Sequence, residues 1–431
     1  MIEDMEFLQM LGFQELYNQT LSILVPFFKA FPYWGPLFVA GFFWKKWKEY
    51  TQERWISGMK WIMLEIKLPK EIHKSPVATE LFLNALYQTS QGKWLDHVWK
   101  GRVRDWFSLE MVSLEGQIKF FIRTTEIYKN VIEAQLYAQY PEIEIYEVPD
   151  YTRYVNYKGK EGDWEMIGID FKLTKKDFYP IKTYIDYGLD KEGIKEEFKI
   201  DPLTSIIEYL GSAGKGEQIW IQILVQAAQK RHKLKTDFEK KKAGEMGDWK
   251  DEAREWIDER TKRNEKPEEG KAPAFKMLMM TKGDTEIVAA VERSMGKFGF
   301  DCGIRALYLS KKDKFNPSNI RALPGLFRAF TTSNLNGFEI KHNSIGFDYF
   351  WQDYNKIRIT KKRKEQFEAY KHRSWFYGGH SLLHGDEKEK PFVLTTEELA
   401  TIFHFPGGVA QTPTFGRIPS RKAEAPINLP I

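Results

Sequence analysis

Residues 21–44 read LSILVPFFKAFPYWGPLFVAGFFW, and this stretch decides the architecture that the sequence predicts. Lys29 is its only charged residue. An apolar run of about 18 residues or more is long enough to cross the hydrocarbon layer of a membrane as a helix. The next positions mix basic and aromatic side chains, as membrane boundaries do. The sequence therefore predicts one transmembrane helix at 21–44, bounded by Trp44, Lys45, Lys46, Trp47 and Lys48.

The charges on the two sides of this stretch predict its orientation. No Lys or Arg precedes Lys29, whereas lysines follow directly at its C-terminal end. Since basic flanks stay in the cytoplasm, we expect the N-terminus outside and the long C-terminal part in the cytoplasm. Pro26, Pro32 and Pro36 weaken a continuous helix, so a kinked, re-entrant or interfacial segment remains an alternative. A buried core helix is a further one.

The bulk composition limits the other possibilities. With 431 residues, 42% of them hydrophobic, the chain has room for two or three domains with real cores. The net charge of +5 permits contact with anionic lipid or nucleic acid but does not argue for it. Cys302 is the single cysteine, which excludes intrachain disulfides and cysteine-rich metal sites and fits a reducing compartment.

The first soluble unit is predicted at 59–152, after an amphipathic N-terminal helix at 1–20 and a basic, Trp-rich connector at 45–58. Apolar periodicity indicates the order β-α-β-β-α-β, with a hairpin turn at Glu115–Gly116. This order is the split βαβ motif of ferredoxin-like folds. We therefore expect an α+β unit with helices on one face of an antiparallel sheet.

A second α/β unit of the same kind is predicted at 153–335. Its strands are expected at 164–173, 181–187, 218–227 and 300–309, with helices at 201–210 and 284–297. A segment rich in Lys, Arg, Glu and Asp interrupts it at 230–271. This insertion reads as a solvated helical hairpin, and a contact arm for a neighbouring subunit or nucleic acid is the alternative.

Two further regions complete the chain. Residues 336–405 form an aromatic and helical C-terminal region that includes a basic helix at 356–373. Residues 406–431 contain Pro413, Pro419, Pro426 and Pro430, which favour an extended tail.

A search for chemistry gives no catalytic, cofactor-binding or metal-binding residue. The glycines of 211–216 lack the spacing of a phosphate-binding loop and follow a helix instead of a strand. His380 and His384 lie in a glycine-rich loop, and His404 lies in an apolar helix end. Glu397 and Glu398 are adjacent and so point to different sides of a helix. The sequence therefore predicts a protein that is not an enzyme.

Several stretches resemble the membrane-anchored N-terminal region of large conjugation and secretion ATPases of the HerA/FtsK-like class, as found in small-genome bacteria. They are MLEIKLPKEIHKSP (63–76), EAQLYAQYPEIEIYEVPDYT (133–152), DPLTSIIEYL with GEQIWIQILV (201–225), FGFDCGIRALYLSK (298–311) and residues 394–431. The resemblance covers about Trp55 to the end. The phosphate loop of those ATPases would follow the final proline-rich segment, and the chain stops before it.

The resemblance implies a membrane-anchored, non-catalytic scaffold of a type IV secretion or conjugation machine in the bacterial inner membrane. Its partners would be membrane lipid, further copies of itself and a HerA/FtsK-like ATPase on a separate or continuing chain. We expect the tail to dock this motor through Phe405, Pro406, Pro413, Phe415, Arg417, Pro426, Leu429 and Pro430.

The alternative function is a membrane-tethered nucleic-acid-binding protein. Basic side chains next to aromatic ones are what such surfaces use, and the basic helix offers both. The candidate phosphate contacts are Lys361, Lys362, Arg363, Lys364, Lys371 and Arg373.

Overall fold

The computed structural model describes residues 19–22, 25, 29, 31–69, 74–89, 92–191, 200–234, 244–261, 281–341, 351, 353–354, 356–377 and 390–406. Two compact units are present. Met1–Gly58 with Gln91–Val103 form the first, and Met59–Ser90 with Arg104–Ile431 form the second.

The helices in chain order are α1 Phe31–Ser57, α2 Val77–Ala85, α3 Trp94–Trp99, α4 Lys129–Gln139, α5 Thr204–Gly211, α6 Trp249–Thr261, α7 Lys282–Met295, α8 Ser318–Ala322, α9 Ile357–His372 and α10 Thr396–Ile402. The strands are β1 Trp61–Lys67, β2 Phe107–Leu114, β3 Gln117–Thr125, β4 Glu144–Val148, β5 Trp164–Leu173, β6 Glu217–Ala227, β7 His232–Lys233, β8 Met246–Gly247, β9 Gly299–Lys311, β10 Phe338–Ile340 and β11 Phe392–Thr395. The α+β class of the sequence prediction is what this inventory shows.

The first unit contains α1 and the short α3. Gly101 has a φ of +67°, and a Cβ on it would lie 2.2 Å from the backbone of Thr51. Glycine is therefore required where the loop after α3 meets α1. In its N-terminal half α1 exposes large apolar side chains on all sides, including Leu37, Phe38 and Phe43.

The predicted transmembrane helix is wrong. None of the helices in the described ranges combines the length and the apolar character needed to cross a membrane. Within the described residues α1 runs from Phe31 to Ser57, so its uncharged part, which ends at Trp44, spans only about 21 Å at 1.5 Å per residue. Residues 23–24, 26–28 and 30 of the predicted segment lie outside the described residues. A hydrocarbon layer is about 30 Å thick. The single-pass placement in the bacterial inner membrane is corrected with it, as is the transmembrane part of the predicted fold class; the predicted helix at 1–20 lies almost entirely outside the described residues.

The second unit is built on one large antiparallel sheet. Within the described residues its strand order is β10-β5-β9-β6-β2-β3-β1-β4, and β11 pairs with β9. The strands of residues 59–152 and those of residues 164–340 each follow the order 4-1-3-2 when numbered within their own half. This is the strand order of a split βαβ unit. The two halves join through β2 and β6, which pair from Phe107–Val225 to Leu114–Gln218.

The hairpin between β2 and β3 shows why the sequence pattern works locally. Glu115 and Gly116 have φ values of +55° and +88°, the positive angles of a two-residue hairpin turn whose twist matches the strands. This turn lies at the position that the sequence predicts.

One face of the sheet carries the main core. Apolar residues of every long strand, such as Leu64, Leu109 and Ile223, lie under helices α2, α4, α5 and α10. Full burial of one such side chain contributes about 1.5–3 kcal/mol. The opposite face is covered by residues 151–157 and by α9, which place Tyr151, Tyr157, Phe367 and Tyr370 against it.

Two predicted elements differ from the structure. Residues 181–187 do not form a strand: 181–183 are irregular and turns begin at 184. The reason is that the backbone N–H groups of Ile181 and Tyr184 donate to the side chains of Glu398 and Thr401 on α10. In the charged insertion, α6 is packed down instead of projecting: its Trp249, Ala253 and Ile257 are buried against Phe178, Val291 and Val393.

Candidate functional site

A row of polar side chains crosses the face of the sheet that α9 covers. Asp170 on β5 is paired with Arg305 on β9, Arg305 with Gln222 on β6, and Gln222 with Glu110 on β2. All four are buried. Because paired residues of neighbouring strands point to the same face, the row brings charged and amide groups together where β2 pairs with β6. We call this junction between the two halves the seam.

Arg373 completes this row from above. It follows the last turn of α9 in the left-handed conformation, with a φ of +51°, and its N–H closes the helix on Ala369 and Tyr370. Its Nε and Nη2 donate to Oε1 and Oε2 of Glu110 at 2.9 and 3.1 Å. Nη2 also donates to Oδ1 of Asp150 at 3.1 Å. A bidentate arginine–carboxylate ion pair of this kind is strong and geometrically specific.

Neighbouring groups occupy the remaining lone pairs of Glu110. Tyr151 donates its hydroxyl to Oε2 at 2.7 Å, and Gln222 donates its amide to Oε1 at 3.2 Å. Burial would raise the pKa of Glu110, but the charge and hydrogen bonds of Arg373 hold it below its usual value. Burial would likewise lower the pKa of Arg373, and Glu110 keeps it well above the usual value. The pair is therefore ionised, and it fastens α9 to the sheet.

Two glycines allow α9 and the residues after it to approach the sheet closely. A Cβ on Gly303 would lie 2.2 Å from the ring of Trp375, and one on Gly168 would lie 2.8 Å from Oε1 of Gln366. The guanidinium of Arg305 lies 4.8 Å from the centre of the Trp375 ring. Its Nε and Nη1 have no hydrogen-bond partner within the described chain, a buried donor pair of the sort that ordered water usually satisfies.

A second polar cluster surrounds Asp301 at the end of the seam. Its Oδ1 accepts from Nη2 of Arg231 at 2.7 Å, and its Oδ2 lies 3.5 Å from Nη2 of Arg104. Burial raises the pKa of Asp301 to about 6 in spite of these two cations. Asp177, which also faces Arg231, has its pKa raised to about 6 for the same reason.

The second unit also contains an open cleft of about 540 Å³. It lies between α2, the turns at 184–190 and the segment that connects α7 to β9. We call it the α2 cleft. Its lining residues are Val77, Glu80, Leu81, Asn84, Tyr184, Ile185, Asp190, Gly296, Lys297, Phe298 and Thr396.

Glu80 is the polar centre of the α2 cleft. Its Oε1 accepts from Nζ of Lys297 at 2.7 Å and its Oε2 from the hydroxyl of Tyr184 at 2.7 Å. Thr396 also donates to Oε1, at 3.4 Å. Glu397 lies beside this group, 3.9 Å from Lys297, and burial raises its pKa.

The buried carboxylates bind cations of the chain itself, and the part of the chain that the structure describes holds no set of three His, Cys, Asp or Glu side chains able to ligate a metal. Cys302 is buried, and burial raises the pKa of its thiol well above the usual value, which keeps it protonated and inert.

The residues proposed for nucleic-acid contact separate into two groups. Arg373 is in the interior, where a phosphate has no access to it. The others lie on α9, where Lys361 is 3.8 Å from Glu365, Arg363 is 3.8 Å from Glu165, and Lys371 is 4.0 Å from Glu368. Lys362 and Lys364 share this helix with them.

The residues proposed for partner docking divide at position 406. Phe405 is buried, with its ring 5.0 Å from that of Tyr140 and 5.6 Å from that of Phe120. Pro406 is buried directly after it. Pro413, Phe415, Arg417, Pro426, Leu429 and Pro430 lie outside the described residues, as do His380 and His384.

The remaining sequence candidates lie on α1, directly after α10, and between α5 and β6. The five predicted membrane-boundary residues lie on α1, where Lys46 pairs with Glu49 at 2.9 Å. His404 bonds to Asp201 at 3.0 Å and to the carbonyl of Ala400. The glycines of 211–216 connect α5 to β6, as a helix end followed by a turn.

Sequence reasoning missed both the seam and the α2 cleft. A signal for the seam exists: in the largely apolar strands β6 and β9, the polar residues Gln222 and Gln226, and likewise Asp301 and Arg305, lie four residues apart and hence on one face. Such a pattern predicts a polar stripe on one face. No comparable signal marks the cleft, because its lining comes from four separate segments.

A family model described as "Domain of unknown function (DUF8128)" matches residues 48–416. The search of curated proteins gives no match.

Proposed function

Because the chain belongs to the DUF8128 family over most of its length, and the description of that family assigns no activity, we propose a function from the chain itself: a non-catalytic scaffold that docks a ring ATPase of the HerA/FtsK-like class. The docking element is the proline-rich tail after Pro406, and the second unit is the rigid base from which it extends. The motor is on a separate or a continuing chain.

The observation that carries the proposal is the anchoring of the chain where the tail begins. Phe403 and Phe405 are buried among the rings of Phe120 and Tyr140. Between them, His404 is held by Asp201, which with α10 raises the pKa of the imidazole against the effect of burial. The tail therefore starts from a fixed point on the sheet.

The seam supports the same proposal. A scaffold must keep its two halves in a constant relation while force is applied to it. Glu110, Gln222 and Arg373 join β2, β6 and α9 by buried hydrogen bonds, and buried polar bonds of this kind favour one arrangement of the elements that they connect.

The composition of the tail supports the docking step. Proline restricts the backbone before binding, so an extended proline-rich segment loses little conformational entropy when it docks in a groove. The tail also carries positive charges with which a partner surface can form ion pairs, on Arg417, Arg421 and Lys422.

The test is direct binding between the purified full chain and a purified HerA/FtsK-like ATPase. Biolayer interferometry should show saturable binding by the full chain, and this binding should be lost when residues 407–431 are deleted. The scaffold alone should not hydrolyse ATP. Undiminished binding by the deletion variant, or ATP hydrolysis by the chain on its own, overturns the proposal.

A further inference from the structure

We propose that the α2 cleft binds residues 415–422 of the chain's own tail, FGRIPSRK. The inference concerns a second, intramolecular site for the tail and goes beyond the proposed function. It needs no ATPase, so the two can fail independently.

The apolar part of the cleft fits the apolar residues of this segment. Val77 and Leu81 lie one turn apart on α2 and are 38% and 49% exposed. Phe298 is 47% exposed, and its ring stacks on Tyr87 at 4.5 Å. Together they form an uncovered apolar strip that Phe415 and Ile418 of the tail would bury.

The cleft is also rich in oxygen atoms that accept hydrogen bonds from cations. Asp190 is exposed on its rim, and Glu80 lies at its centre. Oδ1 of Asn84 is buried and has no hydrogen-bond partner within the described residues. Oε2 of Glu397, next to the cleft, has none either. Lys297 is the one cation among the lining residues, so carboxylates outnumber it.

The charge of the tail is complementary. Residues 407–431 contain three basic residues, Arg417, Arg421 and Lys422, and a single acidic one, Glu424. A guanidinium presents several donors in a planar fork and is well suited to carboxylate and amide oxygens at the edge of an apolar surface. The arginine side chains of the segment thus match the carboxylate of Asp190 and the amide oxygen of Asn84 in the cleft lining.

The wall of the cleft is preformed. Oγ of Ser75, just before α2, donates to the carbonyl of Leu189 at 2.9 Å, which fastens the turns at 184–190 to the helix. Because the two sides are held together before any ligand arrives, binding costs little reorganisation.

The tail can reach the cleft within one molecule. Thr396 lines the cleft and begins α10, which is seven residues long. At 1.5 Å per helical residue and about 3.5 Å per extended residue, Pro406 is no more than about 25 Å from Thr396. The eight residues between Pro406 and Phe415 span about the same distance when extended. A tether of this length gives a local concentration in the millimolar range, so a weak intrinsic affinity is enough.

Trypsin accessibility of the full chain tests the proposal, because the segment carries Arg417, Arg421 and Lys422. We expect cleavage after these residues to be at least tenfold faster in Leu81→Asp and Asp190→Lys than in the unchanged chain. Leu95→Asp and Asp313→Lys are the matched controls, since both positions are exposed and lie outside the cleft lining. A synthetic peptide of residues 411–424 in excess should also speed cleavage in the unchanged chain.

A cysteine pair gives a second measurement, which keeps the charges of the cleft unchanged. Cys302 is buried, so Leu81→Cys with Ile418→Cys should form a disulfide within one chain on mild oxidation, and Leu95→Cys with Ile418→Cys should not. Equal cleavage in the unchanged chain and both cleft variants overturns the proposal. So does a cross-link that forms only between chains, which would place the tail of a second copy in the cleft.

Discussion

Arg373 and Glu110 are 263 positions apart in the chain and form a buried, two-pronged ion pair with neither side chain exposed. Glu110 lies on β2 of the first half of the sheet, and it also accepts from Gln222 on β6 of the second half. The arginine comes from the end of α9. A single pair thus joins both halves and the helix that covers them.

Removal of Arg373 should be costly. Arg373→Ala leaves Glu110 charged and buried without its partner, and breaking such a pair costs about 3–5 kcal/mol of unfolding free energy. The double variant Glu110→Gln with Arg373→Met should lose less unfolding free energy than the sum of the losses in Glu110→Gln and in Arg373→Met alone. Urea unfolding followed by tryptophan fluorescence measures the loss in each variant.

The control for this series is Lys361→Ala on the same helix. Its side chain is 55% exposed and pairs loosely with Glu365, so we expect a change within about 0.5 kcal/mol. A loss of less than about 1 kcal/mol in Arg373→Ala would show that the ion pair does not hold α9 in place.

Gly303 should be intolerant of any side chain. Gly303→Ala places a methyl group 2.2 Å from the ring of Trp375, and overpacking of this kind costs about 1–3 kcal/mol. Gly283→Ala is the matched control, because a Cβ there meets nothing within 4 Å and the position lies in α7. That variant should gain up to about 1 kcal/mol from the better helix propensity of alanine. Thermal unfolding by circular dichroism distinguishes them, and equal midpoints would contradict the close approach of Trp375.

Local features of the fold could be predicted from the sequence, and distant partners could not. The turn at Glu115–Gly116 is encoded by two adjacent residues, and the start of α10 by Thr395 and Glu398, whose side chains cap each other's backbone. The partner of Arg373 is not encoded locally. Its basic neighbours in the sequence predicted a phosphate-binding surface, whereas in the structure Arg373 is buried and pairs with Glu110.

The two main errors have the same physical origin. The apolar composition of 21–44 says nothing about where the helix continues, and α1 carries it into the charged residues beyond Trp44. The alternation at 181–187 resembles a strand, but Glu398 and Thr401 accept the N–H groups that a neighbouring strand would have used. In both places the structure of the segment depends on residues that lie outside the stretch of sequence from which it was predicted.

The stability of the second unit should depend on pH through Glu398. This carboxyl group accepts from the N–H groups of Ile181 and Thr395, yet burial, helped by the nearby Glu397, raises its pKa from 4.5 to about 7. A raised carboxyl pKa means that the folded state binds the proton more tightly than the unfolded state. The protonated Glu398 therefore makes its full contribution to the unfolding free energy below pH 4.5, and this contribution is lost as the pH rises to about 7.

Glu398→Gln isolates this effect. Relative to the unchanged chain, the variant should become more stable by about 2–3 kcal/mol between pH 5 and pH 8. Urea unfolding at several pH values measures the unfolding free energy of both proteins. Subtracting one from the other cancels the titration of Asp177 and Asp301, which is the same in both. A difference that does not change with pH would mean that Glu398 is ionised throughout.

The basic helix α9 should contribute little to binding of nucleic acid. Arg373 is internal, and the carboxylates of Glu365, Glu165 and Glu368 lie within 4.0 Å of Lys361, Arg363 and Lys371, so few charges remain to displace counterions from a phosphate backbone. Fluorescence anisotropy with single- and double-stranded DNA over a salt series should therefore give a shallow slope, equivalent to about two phosphates or fewer. Lys361→Glu with Lys364→Glu should leave affinity and slope unchanged. A slope of about four or more that falls in this double variant would instead support nucleic-acid binding by α9, because each neutralised phosphate releases close to one counterion.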